Sequence, residues 1–324
     1  MPLDYFGPVP GTDRPPRIAV VGDIMIDVSV IAADRGASPE SPEMRRYSAL
    51  WKRSEAGGAA NTAVNLWRMG AVVCLSGVVS SSQMLPPRPP APDARFRCLA
   101  ISVPGRPDTI KTRVLDDADG RMVFRLDSET TKPIEDLVAD RIVDRLAEQG
   151  PYDAVVVSDY GKGVVTPRLL SELSQLPGTW DRRTPVLVDP KGSDLLRYGR
   201  VFLIKPNEAE SASAVRNGDY PAFASEWLLE TRGADGCVLV GGDLSQRRQS
   251  GFRRRGNPNG CGDSFLAALA YGVACRRDPA ECLRVACAAG AAAVGRTERG
   301  LLKAVGSADV AAILAAAGEV SEAA

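Results

Sequence analysis

The chain has 324 residues, 44% of them hydrophobic, with 40 basic and 40 acidic residues and no histidine. Such a length and apolar content suffice for one large α/β domain or two modest ones. The even charge gives no reason to expect a nucleic acid or an anionic membrane as partner, and the missing imidazole excludes every Ser-His, Cys-His and His-metal mechanism.

Residues 1–16 are polar and proline-rich rather than signal-like, and are expected to form a flexible tail. Arg17-Ile18-Ala19-Val20-Val21-Gly22-Asp23 predicts a buried strand running into a turn. Residues 28–33 and 44–53 are strand-like with more alternating polarity. Gly57-Gly58-Ala59-Ala60-Asn61 opens a helix predicted to reach about Met69, and 72–79 is the next strand. Five prolines between 86 and 92 forbid a helix, so 84–93 is predicted to be an extended linker. Two further alternating segments, 109–115 and 121–126, flank Asp116-Asp117-Ala118-Asp119-Gly120, a good hairpin turn.

Short apolar strands are then predicted at 153–159, 185–189, 201–204 and 236–240, with helical segments between several of them. Three helical patterns, near 264–275, 279–294 and 307–317, close the chain before a short tail at 319–324. Apolar strands alternating with helices predict a mostly parallel sheet covered on both faces. The four alternating segments, within about 28–55 and 105–127, predict a small separate sheet. It could serve as a lid over a cleft, as a dimerisation surface, or as both. No apolar run approaches the ~20 residues of a membrane span, so a cytoplasmic protein is the expectation.

The seven cysteines, Cys74, Cys98, Cys237, Cys261, Cys275, Cys282 and Cys287, contain no CxxC pair, and most lie in apolar segments. Reduced, buried thiols are therefore expected rather than a disulfide framework or a zinc site. Cys261 stands apart, because a thiolate is favoured at a helix N-terminus, but a small residue replacing Ala or Gly is the preferred reading of its position.

In open α/β sheets, ligands bind beyond the carboxyl ends of the strands. The polar groups there are Asp23 and Asp27, Asp159-Tyr160-Gly161-Lys162-Gly163, Asp189-Pro190-Lys191-Gly192, and Lys205-Pro206-Asn207-Glu208-Ala209-Glu210. The chain carries only seven lysines against 33 arginines, yet Lys111, Lys162, Lys191 and Lys205 all fall in such segments or in the alternating strands. A lysine kept where arginine is the usual base suggests a compact charge near phosphate.

The sharpest motif is Asn257-Pro258-Asn259-Gly260-Cys261-Gly262-Asp263, which runs directly into the apolar segment 264–274. A helix N-terminus has unpaired N–H groups and partial positive charge, and so attracts anions. Gly260 and Gly262 would let a phosphate approach the backbone. Asp263 would sit beside that anion, placed to take a proton from an attacking hydroxyl. A capped turn is the ordinary alternative for such a motif taken alone.

The order Gly22-Asp23, Gly57-Gly58-Ala59-Ala60-Asn61, Lys205-Pro206-Asn207-Glu208-Ala209-Glu210 and Gly260-Cys261-Gly262-Asp263 resembles the ribokinase-like (PfkB) carbohydrate kinases, from about residue 17 to 318. Within that family, the likeness is greatest to the heptose 7-phosphate kinase domain of bifunctional ADP-heptose synthesis proteins. It rests on Gly22-Asp23-Ile24-Met25-Ile26-Asp27, Ser38-Pro39-Glu40-Ser41-Pro42, Thr112-Arg113-Val114, Arg125-Leu126-Asp127, Ser158-Asp159-Tyr160-Gly161-Lys162-Gly163 and Asp189-Pro190-Lys191-Gly192.

The resemblance implies a three-layer α/β/α sandwich with a mostly parallel central sheet and a small β-sheet lid. It implies an ATP- and Mg²⁺-dependent kinase, a homodimer through the lid, acting on the anomeric hydroxyl of a sugar phosphate. Asp263 would be the catalytic base, with the amides of Gly260, Cys261 and Gly262 as the anion hole. Asp27, Gly58, Asn61, Lys111, Arg113, Lys162 and Lys191 would bind the acceptor. Lys205, Asn207, Thr231, Gly233, Gly236 and Asn257 would line the nucleotide site, and Glu210 would reach the metal through water. Capping is the structural alternative for Asn61 and Asn207, and a solvated helix charge for Glu210.

Several positions depart from the family pattern. Asn257 and Asn259 stand where the family usually has Asp and Thr, and Cys261 replaces Ala. After Val79, Ser80-Ser81-Ser82 and the proline-rich segment replace a Gly-Asp and a helix. The chain ends without room for a nucleotidyltransferase domain. A kinase for another sugar, sugar phosphate or nucleoside is the alternative enzyme, and a sugar- or nucleotide-binding pseudokinase the non-enzymatic one.

Overall fold

Alternate residues of the first strand enter two different cores. Strand β1 (Arg17–Gly22) places Ile18 and Val20 in one apolar cluster and Ala19 and Val21 in another. Successive side chains of a strand point to opposite faces, so this sheet is covered on both sides. The computed structural model describes residues 5–81, 93–178, 183–216, 225–241, 245–256, 258–294 and 304–322. The predicted proline-rich linker lies almost wholly outside these, as does Asn257.

Two long strands follow β1, β2 (Ile24–Ala37) and β3 (Arg45–Gly58), then α1 (Ala59–Arg68), β4 (Val72–Ser76) and β5 (Val78–Val79). Beyond 92 come β6 (Phe96–Cys98), β7 (Ile101–Ser102), β8 (Thr109–Asp116) and β9 (Met122–Ser128). Helix α2 (Asp136–Ala147), β10 (Ala154–Ser158), α3 (Pro167–Leu173), β11 (Val186–Asp189), β12 (Val201–Ile204) and α4 (Glu208–Arg216) alternate as predicted. The chain continues through β13 (Ser225–Thr231), β14 (Cys237–Gly241), β15 (Gln246–Gln249), α5 (Cys261–Ala274), α6 (Pro279–Val294) and α7 (Ser307–Glu322).

The main sheet has the order β15-β14-β13-β12-β11-β10-β1-β4-β6 among the described residues. It is parallel except where β14 joins β13 and β15. Helices α1, α5, α6 and α7 supply one core and α2, α3 and α4 contribute to the other, which makes the expected three layers. Strands β6, β7, β13 and β15 were not among the predicted elements. The polar run of β15 and the mixed polarity of β13 obscure their pairing, because neither has an apolar period of two.

The predicted small sheet is present, in the order β3-β2-β8-β9. Its β8–β9 turn is closed by Gly120 N–H donating to Asp116 O at 2.9 Å. Most of the large exposed apolar side chains of the described residues sit on this part of the chain: Met44, Leu50, Trp51, Met122, Phe124 and Leu126.

Both expected tails need correction. Tyr5 is 1% exposed and packs edge-on against Phe6, with its hydroxyl donating to Ala268 O at 2.9 Å. Arg14 pairs with Asp153 at 2.6 Å. A polar, proline-rich composition concealed the two aromatic residues that dock this segment on α5. At the other end, α7 runs to Glu322, so the expected boundary at 318 falls inside a helix.

Candidate active site

Asp263 lies in the first turn of α5 and is buried. One neutral amide and one neutral hydroxyl hold its carboxylate: Asn61 Nδ2 donates to Oδ2 at 2.6 Å, and Tyr160 Oη donates to Oδ1 at 2.7 Å. Thr62 Oγ1 is a longer neighbour of Oδ1 at 3.4 Å. Burial pushes the Asp263 carboxyl up to about 6, against the opposing pull of the bonds from Tyr160 and Asn61. The Asp189 charge raises it further and Lys205 lowers it. A carboxylate so poised is basic enough to take a proton near neutral pH, which is what a general base requires.

The glycine-rich segment opens a helix, α5. Gly260 occupies the N-cap position with φ 77°, a conformation that favours glycine. Cys261 departs from the expectation in one respect: its amide donates to Pro258 O at 3.2 Å, so in this state it closes a turn rather than facing an anion. Its thiol is pushed up to about 11, first by burial and then by the Asp263 charge, so a thiolate at this helix start is disfavoured. The side chain serves as a small residue in the wall of the site.

Gly58 begins α1 at φ 56°, where a Cβ would lie 2.5 Å from Asp23 O. That carbonyl accepts the Ala59 amide at 3.0 Å, which ties the helix start to the end of β1. Gly58 thus secures the position of Asn61 one turn later. Asn61 is engaged by protein groups at both ends of its amide. Its Nδ2 holds Asp263 and its Oδ1 accepts from Asn65 at 3.2 Å.

Asp27 on β2 receives Arg113 Nη1 of β8 at 2.5 Å, and both are largely buried. The β2–β8 register places Lys111 opposite Asp27. Lys111 Nζ sits 5.3 Å from the centre of the Tyr160 ring, a cation–π arrangement that links the small sheet to the loop after β10. Burial lowers the Lys111 pKa, and the nearby cations Arg125 and Lys162 lower it further.

The loop carrying Tyr160 is fixed from below. Asp23, 1% exposed, accepts the amides of Tyr160 at 2.7 Å, Lys162 at 3.0 Å and Val164 at 3.2 Å. Burial raises the Asp23 pKa, and these three backbone donors oppose that rise. Asp23 is thus occupied in holding this loop. Lys162 Nζ pairs with Glu129 Oε1 at 2.8 Å.

The remaining predicted residues gather at the ends of β11, β12 and β13. Buried Lys205 pairs with Asp189 at 2.9 Å. A Cβ on Gly262 would be 3.9 Å from Lys205 Nζ, so this ammonium stands at the start of α5. Asn207 and Glu210 bond reciprocally: Glu210 N donates to Asn207 Oδ1 at 2.9 Å and Asn207 N to Glu210 Oε2 at 3.1 Å. That is a capping box for α4. Lys191 Nζ lies 3.9 Å from Glu210 Oε1, which groups Lys191 with this helix start rather than with the small sheet.

A cavity of about 290 Å³ opens beside the start of α5, lined among others by Thr231, Gly233, Gly236, Cys261, Gly262 and Phe265. Its mostly apolar wall adjoins the glycines that precede Asp263, as a base-binding pocket next to a phosphate site requires. A larger cavity of about 480 Å³, lined by Phe202, Trp227 and Val273, lies at the opposite end of α5 and contains none of the predicted site residues. Thr62 and Glu129 were not among those residues, and Tyr160 was singled out only as part of the segment 159–163, with no role of its own; Thr62 has no sequence signal.

Among the described residues, no group of three or more acidic or cysteine side chains could hold a metal ion. Magnesium, however, is usually held by nucleotide phosphates plus one or two carboxylates. Glu210 Oε2 accepts the Asn207 amide and Oε1 faces Lys191, so the residues present fit a magnesium ion that Glu210 would reach through water. No helix among the described residues is long and apolar enough to cross a membrane.

Comparison with known proteins places this geometry in a family. The model of the pfkB family carbohydrate kinases matches residues 108–302. The bifunctional protein HldE of Hyphomonas neptunium is 30% identical over 95% of this chain and 65% of that protein. That of Geobacter sulfurreducens is 33% identical over 86% of this chain and 59% of its own length. The chain therefore spans between 59% and 65% of the length of these two curated relatives. Arabidopsis thaliana ribokinase complexed with ribose and ATP superposes with a TM-score of 0.65 at 18% identity, covering 92% of this chain and 98% of its own. Escherichia coli phosphofructokinase-2 in complex with fructose-6-phosphate gives 0.66 at 17%, covering 93% and 98%. At these identities the two structures establish the fold alone. The family match carries the assignment, and the chain belongs to the pfkB family of carbohydrate kinases, as a sugar kinase with ATP as its expected phosphoryl donor.

Proposed function

We propose that the chain transfers the γ-phosphoryl group of ATP to the anomeric hydroxyl of D-glycero-D-manno-heptose 7-phosphate, giving the 1,7-bisphosphate and ADP. The observation that carries this reading is buried Asp263 at a glycine-flanked helix start, facing a loop whose tyrosine lies under Lys111 of the small sheet. Asp263 takes the hydroxyl proton as the acceptor oxygen attacks phosphorus and the bond from phosphorus to the β-phosphate oxygen breaks. Lys205 and the start of α5 stabilise charge on the transferring group. Thr231, Gly233 and Gly236 line the nucleotide base pocket, and Lys191 and Glu210 meet its phosphates. Asp27 and Arg113 orient the sugar, with Lys111 and Lys162 near its phosphate. The motif likeness to heptose 7-phosphate kinase domains supports the acceptor. An ADP-release assay across hexoses, heptoses and heptose phosphates tests it: turnover of another acceptor in preference to the heptose phosphate would leave only the sugar-kinase assignment.

Magnesium arrives with ATP in this scheme, and Glu210 is the side chain that would reach it. When bound, the metal neutralises phosphate charge. Glu210→Gln is expected to raise the Mg²⁺ concentration for half-maximal activity about 5- to 10-fold. Asn207→Ala removes the cap and is expected to cost about 1 kcal/mol of stability. Titration of activity against Mg²⁺ checks the first and chemical denaturation the second; an unchanged Mg²⁺ midpoint in Glu210→Gln would leave Glu210 a capping residue only.

The small sheet also supports a homodimer. The β8–β9 register puts Phe124 and Leu126 on one face and Arg125 and Asp127 on the other, with Arg113 and Lys111. The charged face belongs to the cleft, and the apolar face is exposed. A patch of this kind on an edge strand is a surface for self-association. Sedimentation of Phe124→Ser/Leu126→Ser should show a shift from dimer to monomer at micromolar concentration; a wild-type monomer would remove the proposal.

A further inference from the structure

We propose that Tyr160 is a positioning residue for the base: with its backbone held by Asp23 and its ring under Lys111, its phenol fixes the Asp263 carboxylate and leaves one lone pair of Oδ2 for the acceptor hydroxyl. This rests on the reading of Asp263 as general base. Three observations converge on it. Tyr160 Oη is 2.7 Å from Asp263 Oδ1. The Tyr160 amide is bound at 2.7 Å by Asp23, which is buried and also holds Lys162 and Val164. Lys111 Nζ stands 5.3 Å from the ring centre. Backbone and ring are therefore both held, and the phenol is a fixed donor rather than a side chain in search of a partner.

The chemistry follows from the donor count. A carboxylate oxygen accepts two hydrogen bonds in the plane of the group. On Oδ1, Tyr160 takes one position and Thr62 approaches the other at 3.4 Å; on Oδ2, Asn61 takes one, and none of the hydrogen bonds among the described residues takes the second. Tyr160 keeps its proton throughout, because burial and the surrounding carboxylates Asp263, Asp189 and Asp27 raise its pKa well above the ordinary value. The proton lost by the acceptor hydroxyl goes to Asp263, its oxygen bonds to phosphorus, and ADP leaves with the bonding electrons. The phenol takes no part in that exchange. It holds the carboxylate plane and favours the charged form of the base, as a hydrogen bond to an anion does.

Other groups also face Asp263. Asn61 and Thr62 come from α1, Asp189 from the end of β11, Lys205 from the end of β12 and Cys261 from its own helix, and Lys111 and Asp27 lie behind Tyr160. None of these is altered by Tyr160→Phe, so that variant isolates the phenol. Its acid limb of kcat is expected to move up by about one pH unit, since one donor to the anion is gone. At pH 9, kcat should stay within about threefold of the unmodified enzyme, and the ATP KM should be unchanged.

Replacing Tyr160 by 3-fluorotyrosine should move the limb the other way, because the more acidic phenol is the stronger donor. A packing role gives no such opposite signs. Should the phenylalanine variant fail to fold, the fluorinated enzyme decides alone. An unmoved limb in both, or a fall in acceptor KM on Tyr160→Phe, would overturn the inference; the latter would show that the phenol occupies the place of the acceptor hydroxyl. Asp263→Asn separates the two levels. If it is inactive while the Tyr160 variants leave the limb in place, only the inference falls. If it is active, the general-base reading falls first.

Discussion

Asp263→Asn is expected to lower kcat by about 10²- to 10⁴-fold while ADP binding and fold persist. The chain has no histidine to take over the proton. Cys261, the nearest thiol, is pushed up to about 11 and is protonated at working pH. In the unaltered enzyme the same carboxyl governs the acid limb. It must be deprotonated to act, and burial holds it up at about 6, so kcat should fall as the pH drops through about 6. The sign for stability is the reverse. A raised carboxyl pKa means that the charged form is disfavoured by folding, so this group's contribution is best at low pH and declines as pH rises from the unfolded value toward about 6. The asparagine variant removes that burden, and its melting temperature at pH 8 should not fall. Stopped-assay kinetics and thermal melts check both; turnover within a few-fold of the unaltered enzyme would remove Asp263 from the mechanism.

Lys111→Met should raise the acceptor KM by about 10- to 100-fold and leave the ATP KM within about twofold, if the acceptor carries a phosphate. The cations near the cleft are not equivalent. Arg113 is paired with Asp27, Lys162 with Glu129, Lys191 with Glu210 and Lys205 with Asp189. None of the ion pairs among the described residues involves Lys111, which lies over the Tyr160 ring; burial lowers its pKa, Arg125 and Lys162 lower it further, and Asp27 and Glu129 only partly oppose this. Its charge is costly in the free enzyme, and a phosphate dianion would offset that cost. An unphosphorylated sugar offers nothing in exchange, so the heptose phosphate should be preferred strongly in kcat/KM. Steady-state kinetics with both acceptors decide it. Equal or better kcat/KM for the unphosphorylated sugar would rule out the heptose-phosphate reading, and an unchanged acceptor KM in Lys111→Met would move the phosphate site elsewhere.

The amino-acid sequence by itself determined the layers and the candidate site. Buried strands such as 153–159 and 185–189 announce themselves through unbroken apolar runs, and the lid segments through alternating polarity. Gly260, Gly262 and Asp263 are legible because a glycine-flanked acid before an apolar helix is a local pattern. So is the Asn207–Glu210 pair, although its local chemistry alone gives the capping box seen here. What only the tertiary structure decided is partnership across the chain. Asp263 meets Asn61 and Tyr160, 202 and 103 residues away. Asp23 is consumed by a loop more than 130 residues further on. Tyr5 and Phe6 dock on α5 from a segment that composition marks as a tail. Side-chain type and local period are written in short windows of sequence. Which buried donor faces which buried acceptor depends on how the sheet order brings distant strand ends together, and no local window holds that information.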